Sequence, residues 1–87
     1  MITSKQEFID AAMKGRVEFF GGSVICDTFW NGFEDIPLCA VYADKDGIHA
    51  CPDGDEQYID DFDPIPFDEI GWDVYSRIIN YCITHNL

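Results

Sequence analysis

Hydrophobic positions recur along this chain first with the period of a helix and then with that of strands. Between residues 5 and 14, Phe8, Ala11 and Ala12 fall on one helical face, and Ile9 and Met13 widen the stripe. Ser4 and Glu7 stand at capping-box spacing, so the Ser4 hydroxyl can accept from the Glu7 N–H and the Glu7 side chain can reach back to Ser4. Lys14 suits the negative end of the helix dipole, and Gly15 supplies a stop. The pattern predicts a first helix over 5–14.

From residue 16 the period shortens. RVEFF (16–20) predicts a first strand, Gly21-Gly22 a tight turn, and SVICDTFW (23–30) a second, central strand. Asn31-Gly32 tolerates positive φ at both positions and predicts a type I′ hairpin. The returning strand, 33–43, contains Pro37, which has no N–H to give a ladder, so it is expected to bulge there or to begin at Leu38. Asp44-Lys45-Asp46-Gly47 reads as a type I turn with glycine at the left-handed position, leading into a short fourth strand at 48–51. These hairpins put the strands in meander order.

Residues 55–67 carry mixed signals. Tyr58-Ile59-x-x-Phe62 fits either one helical turn or an edge strand, and Asp63-Pro64 and Ile65-Pro66 impose extended geometry. The last helix runs from about 68 to 84, or starts at Gly71, with Trp72, Tyr75, Ile79, Cys82 and Ile83 on one stripe and Ile78 alongside. The whole predicts a single α+β domain over 1–87. It has an N-terminal helix, a four-stranded antiparallel sheet and a C-terminal helix packed on one face.

Charge changes the picture more than composition does. The 87 residues are 47% hydrophobic, with seven Phe, four Tyr and two Trp, which suffices for a small core. Seventeen acids against five bases leave a formal charge of −12, beyond the magnitude of ~2–8 usual for a small domain. Nine carboxylates fall from Asp53 to Asp73, and the whole stretch between Lys45 and Arg77 carries ten acids and no Lys or Arg. Tyr58, Ile59, Phe62, Ile65, Phe67, Ile70 and Trp72 interleave with them. Acids alone would stay disordered, whereas acids threaded through such a framework can be pinned to a surface as a fixed negative field. The competing reading is a merely solvated face.

The first residues show no signal-peptide pattern, and no run approaches the ~20 apolar residues of a spanning helix. The expectation is a cytoplasmic protein that anionic membranes and nucleic acid itself repel.

No catalytic set emerges. Cys26, Cys39, His49 and Cys51 lack a Cys-x-x-Cys knuckle, and with Cys82 the four cysteines sit at apolar periodic positions, so free buried thiols without metal are expected. Asp53-x-Asp55-x-Gln57 opens like a calcium loop but has Tyr58 at position six and Pro64 at position twelve. His49 and His85 offer no nucleophile dyad, and there is no glycine-rich phosphate loop. The sequence predicts a protein that is not an enzyme and needs no cofactor.

What remains is the acidic segment. Its carboxylates fall in loops and element ends, on an extended stretch where alternate residues would stand ~6.6 Å apart, a spacing near that of backbone phosphates. Tyr58 and Phe62 supply anchors for a partner's arginines and aliphatic stems. Asp53, Asp55, Glu56, Asp60, Asp61 and Asp63 form its core. Over roughly its C-terminal half the chain resembles, in size, charge and interleaved aromatics and without a shared motif, the small acidic inhibitors that mimic nucleic acid, as in the anti-CRISPR and anti-restriction proteins of phages and plasmids. The resemblance implies a target with a basic nucleic-acid-binding groove, a nuclease complex among them, met in the host-cell cytoplasm. The partner-binding residues would be Asp53, Asp55, Glu56, Tyr58, Asp60, Asp61, Phe62, Asp63, Asp68 and Glu69. Immunity proteins that plug a basic nuclease toxin are similar in the same respects, and a small acidic adaptor whose charge confers solubility is the plain alternative.

Overall fold

The computed structural model describes residues 1–22, 24–30 and 35–87. Helix α1 (Lys5–Lys14) has the bounds that the stripe and cap dictate. The Ser4 hydroxyl accepts from the Glu7 N–H at 3.2 Å, and the Glu7 carboxylate accepts from the Thr3 and Ser4 hydroxyls at 2.6 and 3.1 Å. Phe8 and Ala12 are buried, but Met13 is exposed, so the apolar stripe is narrower than expected.

Four strands follow: β1 (Val17–Glu18), β2 (Val24–Trp30), β3 (Asp35–Asp44) and β4 (Gly47–Pro52). All pairing is antiparallel and runs through β3, which makes β3 the central strand instead of β2. Nor is the order a meander. Val17 and Glu18 pair with Ala43 and Tyr42, and Val24 and Ile25 with Ala40 and Cys39. Tyr42, Ala43, Cys39 and Ala40 also pair with β4, so β1 and β2 share the opposite edge of β3, one after the other. The reason lies at Phe20–Gly22, a 3₁₀ turn in which Gly21 takes φ 67° and Gly22 φ 62°. It loops the chain out of line without reversing it, while the Phe19 N–H stays on the Val41 carbonyl at 2.8 Å. The Asn31-Gly32 turn, Ser23 and the 33–34 start of the third strand lie outside the described residues.

Pro37 causes no bulge. It pairs with Thr28, and its carbonyl accepts from the Asp53 N–H at 3.0 Å, beyond the last β4 partner. Its missing N–H therefore costs the ladder one bond at the end of β4, where the strand gives way to the next turn. The register shifts instead between Ile25 and Asp27 and between Ala40 and Tyr42. The second shift restores phase for burial: Ala40 and Ala43 both join the core under the helices, while Cys39 and Tyr42 are buried on the other face.

Helix α2 (Trp72–Thr84) starts at the Gly71 cap, after a separate 3₁₀ turn over Phe67–Glu69. It buries Val74, Tyr75, Ile78, Ile79 and Cys82, but Trp72 and Ile83 are 65% and 44% exposed. At ~100° per residue, Trp72 and Ile83 sit ~60° and ~80° from Tyr75, on the side away from Val74 and Ile78. The stripe is thus centred nearer Ile78 than the aromatic residues suggest. Both helices share one core with the sheet, where Phe8 meets Phe19, Phe67 and Tyr75 at ring separations of 6.1–6.2 Å. This is the α+β fold expected. Among the described residues no helix is long and apolar enough to cross a membrane.

Candidate protein-binding face

The acidic segment is laid against the sheet by its backbone. After β4 the chain turns at Pro52–Asp55, where the Asp55 N–H reaches the Pro52 carbonyl at 3.0 Å and Gly54 takes φ 95°. It doubles back over the face opposite the helices as 3₁₀ turns, Glu56–Asp61, kinked at Tyr58. It then passes the outer edge of β4, where Ile48 and Ile65 form an antiparallel bridge. The Phe67–Glu69 turn delivers it to the helical side, with the Phe67 carbonyl accepting from the Tyr75 hydroxyl at 2.9 Å. Gly47 makes this passage possible. At φ 125° it holds a conformation closed to other residues, and a Cβ there would collide with the Ile65 carbonyl.

The acids therefore form a belt around one edge of the sheet instead of a straight stripe. Strand-like spacing fails over 56–61, since a 3₁₀ helix rises ~2 Å per residue and eclipses every third side chain. It survives around Phe62 and Pro66 and again at Ile70 and Gly71, which are extended. Asp53, Asp60, Asp61, Asp63, Asp68 and Glu69 are exposed, and Asp55 and Glu56 are half-buried. Of the expected anchors, Tyr58 is exposed and Phe62 half-buried. The ten expected residues divide into two groups. Those from Asp53 to Asp63 run over the strand face and its edge. Asp68 and Glu69 lie on the helical side, where Glu69 lines a small cleft with Ile48, Ile65 and Val74.

No acid from 53 to 73 forms an ion pair among the described residues, where the ion pairs are Arg16–Glu18 and His49–Asp44. The cations lie elsewhere. Lys14 and Lys45 line one pocket at the β3–β4 turn, Lys5 lies 4.5 Å over the Tyr75 ring, and the Arg77 guanidinium donates to the Ile25 and Cys26 carbonyls at 3.4 Å. Arg16 stacks 3.5 Å over Tyr42, whose other neighbour is the His49 ring at 4.1 Å.

Tyr42 ties this group to the belt through its hydroxyl, 3.5 Å from Asp60. Burial raises the Tyr42 pKa, and the Asp60 charge adds to the rise against a smaller opposing effect of Arg16. For Asp44, burial works upward, but the bonds from His49 at 2.9 Å and from the Asp46 N–H outweigh it and leave the carboxyl below its usual range. Beneath the belt, the Cys39 thiol donates to Asp53 Oδ1 at 3.2 Å. Burial, then the bond and charge of Asp53, push the Cys39 pKa up to about 12. Glu56 is placed from below by Gly22, where any Cβ would stand 2.9 Å from its Cγ.

Two features escape a reading of the sequence. Trp72 is exposed and lines a shallow groove with Thr3, Ser4 and Lys5, which only the helix phase reveals. Cys39 reaches Asp53 and Glu56 through the β3–β4 register, which no local pattern encodes. No protein-family model, no curated protein and no solved structure matches this chain.

Proposed function

We propose that this chain is a non-enzymatic acidic inhibitor that occupies the basic nucleic-acid-binding surface of another protein. The observation that carries the reading is the belt itself. It belongs to a stretch, from Lys45 to Arg77, with no Lys or Arg between its ends, and it is folded and pinned at Ile48–Ile65. Among the described residues no ion pair neutralises its carboxylates. Folding has already fixed these charges in place, so a partner meets a prearranged field and orders little on docking. Tyr58, 53% exposed within the belt, gives arginine side chains a flat surface to stack on. A basic groove shaped for a phosphate backbone meets both needs. Duplex or single-stranded nucleic acid is repelled by the same field.

The test uses the full chain, immobilised and exposed to cell lysate at low salt. The reading expects captured proteins to be released by added duplex DNA or RNA and by rising salt, since charged faces are screened within ~8 Å at physiological ionic strength. It further expects Asp60→Asn/Asp61→Asn/Asp63→Asn to weaken capture far more than Glu7→Gln/Asp10→Asn/Glu18→Gln, because neutralising close interfacial pairs costs ~1.5–7 kcal/mol while remote charges mainly alter association rate. Equal losses from the two triples, or capture indifferent to polynucleotide, would reduce the belt to a solvated surface.

A further inference from the structure

Helix α2 turns one side to the core and carries a second apolar stripe outside it. Trp72, Ser76, Ile79 and Ile83 follow one another at steps of four, three and four residues. At ~100° per residue all four fall within ~60° of the helix circumference. Alternating steps of three and four are those of a seam between two packed helices. Trp72 and Ile83 stand out at its ends, 65% and 44% exposed, while Ser76 and Ile79 sit lower between them. Beside Trp72 the seam borders a hollow of about 320 Å³, lined by Ser76 and Ile79 together with Thr3, Ser4 and Lys5.

Charge says what can cover this stripe. Two copies of a molecule of charge −12 repel each other, and can meet only where neither brings carboxylates to the contact. No carboxylate lines the hollow beside Trp72 or the one on the other side of Asn80, where the charged residues are Lys5 and Arg77 with His85 nearby. Asp73, the one acid of α2, stands ~90° round the helix from the seam's centre. A basic partner finds no countercharge here, whereas the neutral seam of a second copy meets no repulsion.

We infer that the outer stripe of α2 is a self-association surface, on which a second copy of this chain docks its own α2, antiparallel, about a two-fold axis. The stripe is complementary to itself. With the axis level with the Arg77–Ile78 step, Trp72 of each copy comes opposite Ile83 of the other, and Ser76 opposite Ile79. Each protruding apolar side chain then meets another, small Ser76 leaves room for Ile79, and Ile83 of the second copy enters the hollow between Trp72 and Lys5. Residues 56–61 lie on the face of the sheet opposite the helices, so that part of the belt stays open on both copies. One helix from each chain makes a small interface, and the pair is weak, populated at ~100 µM and dissolved at ~1 µM. Unfolding measured on dilute protein therefore reports the monomer. The inference does not depend on what the belt binds.

Sedimentation equilibrium of the full chain across that range of concentration tests it. Wild type should show a reversible monomer–dimer equilibrium. Trp72→Ala and Ile83→Ala should each weaken it about tenfold or more, while Met13→Ala, an exposed apolar residue of α1, should leave it within about twofold. Oxidative cross-linking reads the orientation, since all four native cysteines are buried. A mixture of Trp72→Cys and Ile83→Cys chains should join one to the other, and Trp72→Cys alone should not join to itself, because those ends lie ~16 Å apart along the antiparallel pair. A monomer at every concentration would overturn the proposal and leave the seam to a helix of another protein. Dimerisation unmoved by Trp72→Ala and Ile83→Ala, or Trp72→Cys joining only to itself, would overturn it equally.

Discussion

Ile48 and Ile65 exchange both of their backbone hydrogen bonds, at 2.9 Å from the Ile48 N–H and 2.8 Å from the Ile65 N–H. This pair fastens the acidic belt to the outer edge of β4, between its ties at Asp53 to the Pro37 carbonyl and at the Phe67 carbonyl to the Tyr75 hydroxyl.

Gly47→Ala tests that attachment. The alanine would have to hold φ 125° and push against the Ile65 carbonyl. Backbone held in such a region costs ~1–3 kcal/mol before any collision is counted, and each kcal/mol moves the melting temperature of a domain this size by ~4–8 °C. We expect a fall of roughly 10–20 °C in a thermal melt, with faster amide exchange at Ile65. A change of a degree or two would mean that the bridge carries little of the stability.

Ile78→Ala and Trp72→Ala should behave oppositely. Ile78 is fully buried beneath the sheet, and truncating such a side chain costs ~2–5 kcal/mol. Trp72 lies 65% exposed, so its loss should stay within ~0.5 kcal/mol of wild type. Urea denaturation of the two variants separates them. A large loss for Trp72→Ala would restore the aromatic stripe that the sequence suggests.

Stability should decline in alkali. Burial lifts the Cys82 thiol to about 11 from an ordinary value near 9, and burial followed by the Asp68 charge lifts the Tyr75 hydroxyl. A folded state that keeps protons the unfolded chain has shed loses stability as pH rises between the two pKa values. The denaturation midpoint should hold at pH 7–8 and fall from about pH 9 upward. Cys82→Ala should fall less steeply than wild type, whatever its starting stability. Parallel pH profiles would remove Cys82 from the account.

Much of the fold was legible because its signals are local. Ser4, Glu7 and Gly15 bound α1, Gly47 marks the β3–β4 turn and Gly71 the start of α2. The sheet order was not, because the Gly21-Gly22 turn looks the same in sequence whether it reverses the chain or loops it out. Only the competition of Val17 and Val24 for one edge of β3 decides between them. The acids were plain as composition, yet their arrangement depends on 3₁₀ turns and on one bridge at Ile65. Trp72 was misplaced because an aromatic residue at the right spacing outweighs the small Val74 in any reading by pattern.

The passage of residues 62–66 along β4 also bears on how the protein behaves when crowded. Ile65 turns its N–H and carbonyl inward to Ile48, so the backbone groups at positions 64 and 66 turn outward, and both positions are proline. Neither has an N–H, and the Pro66 carbonyl is already taken by the Glu69 N–H at 3.0 Å. A second chain seeking to add a strand on this side finds no row of donors and meets the charge of Asp63. Pro64→Val and Pro66→Val would restore outward donors on this side while leaving the core whole, and a protein kept apart by its edge would become one prone to associate edge to edge.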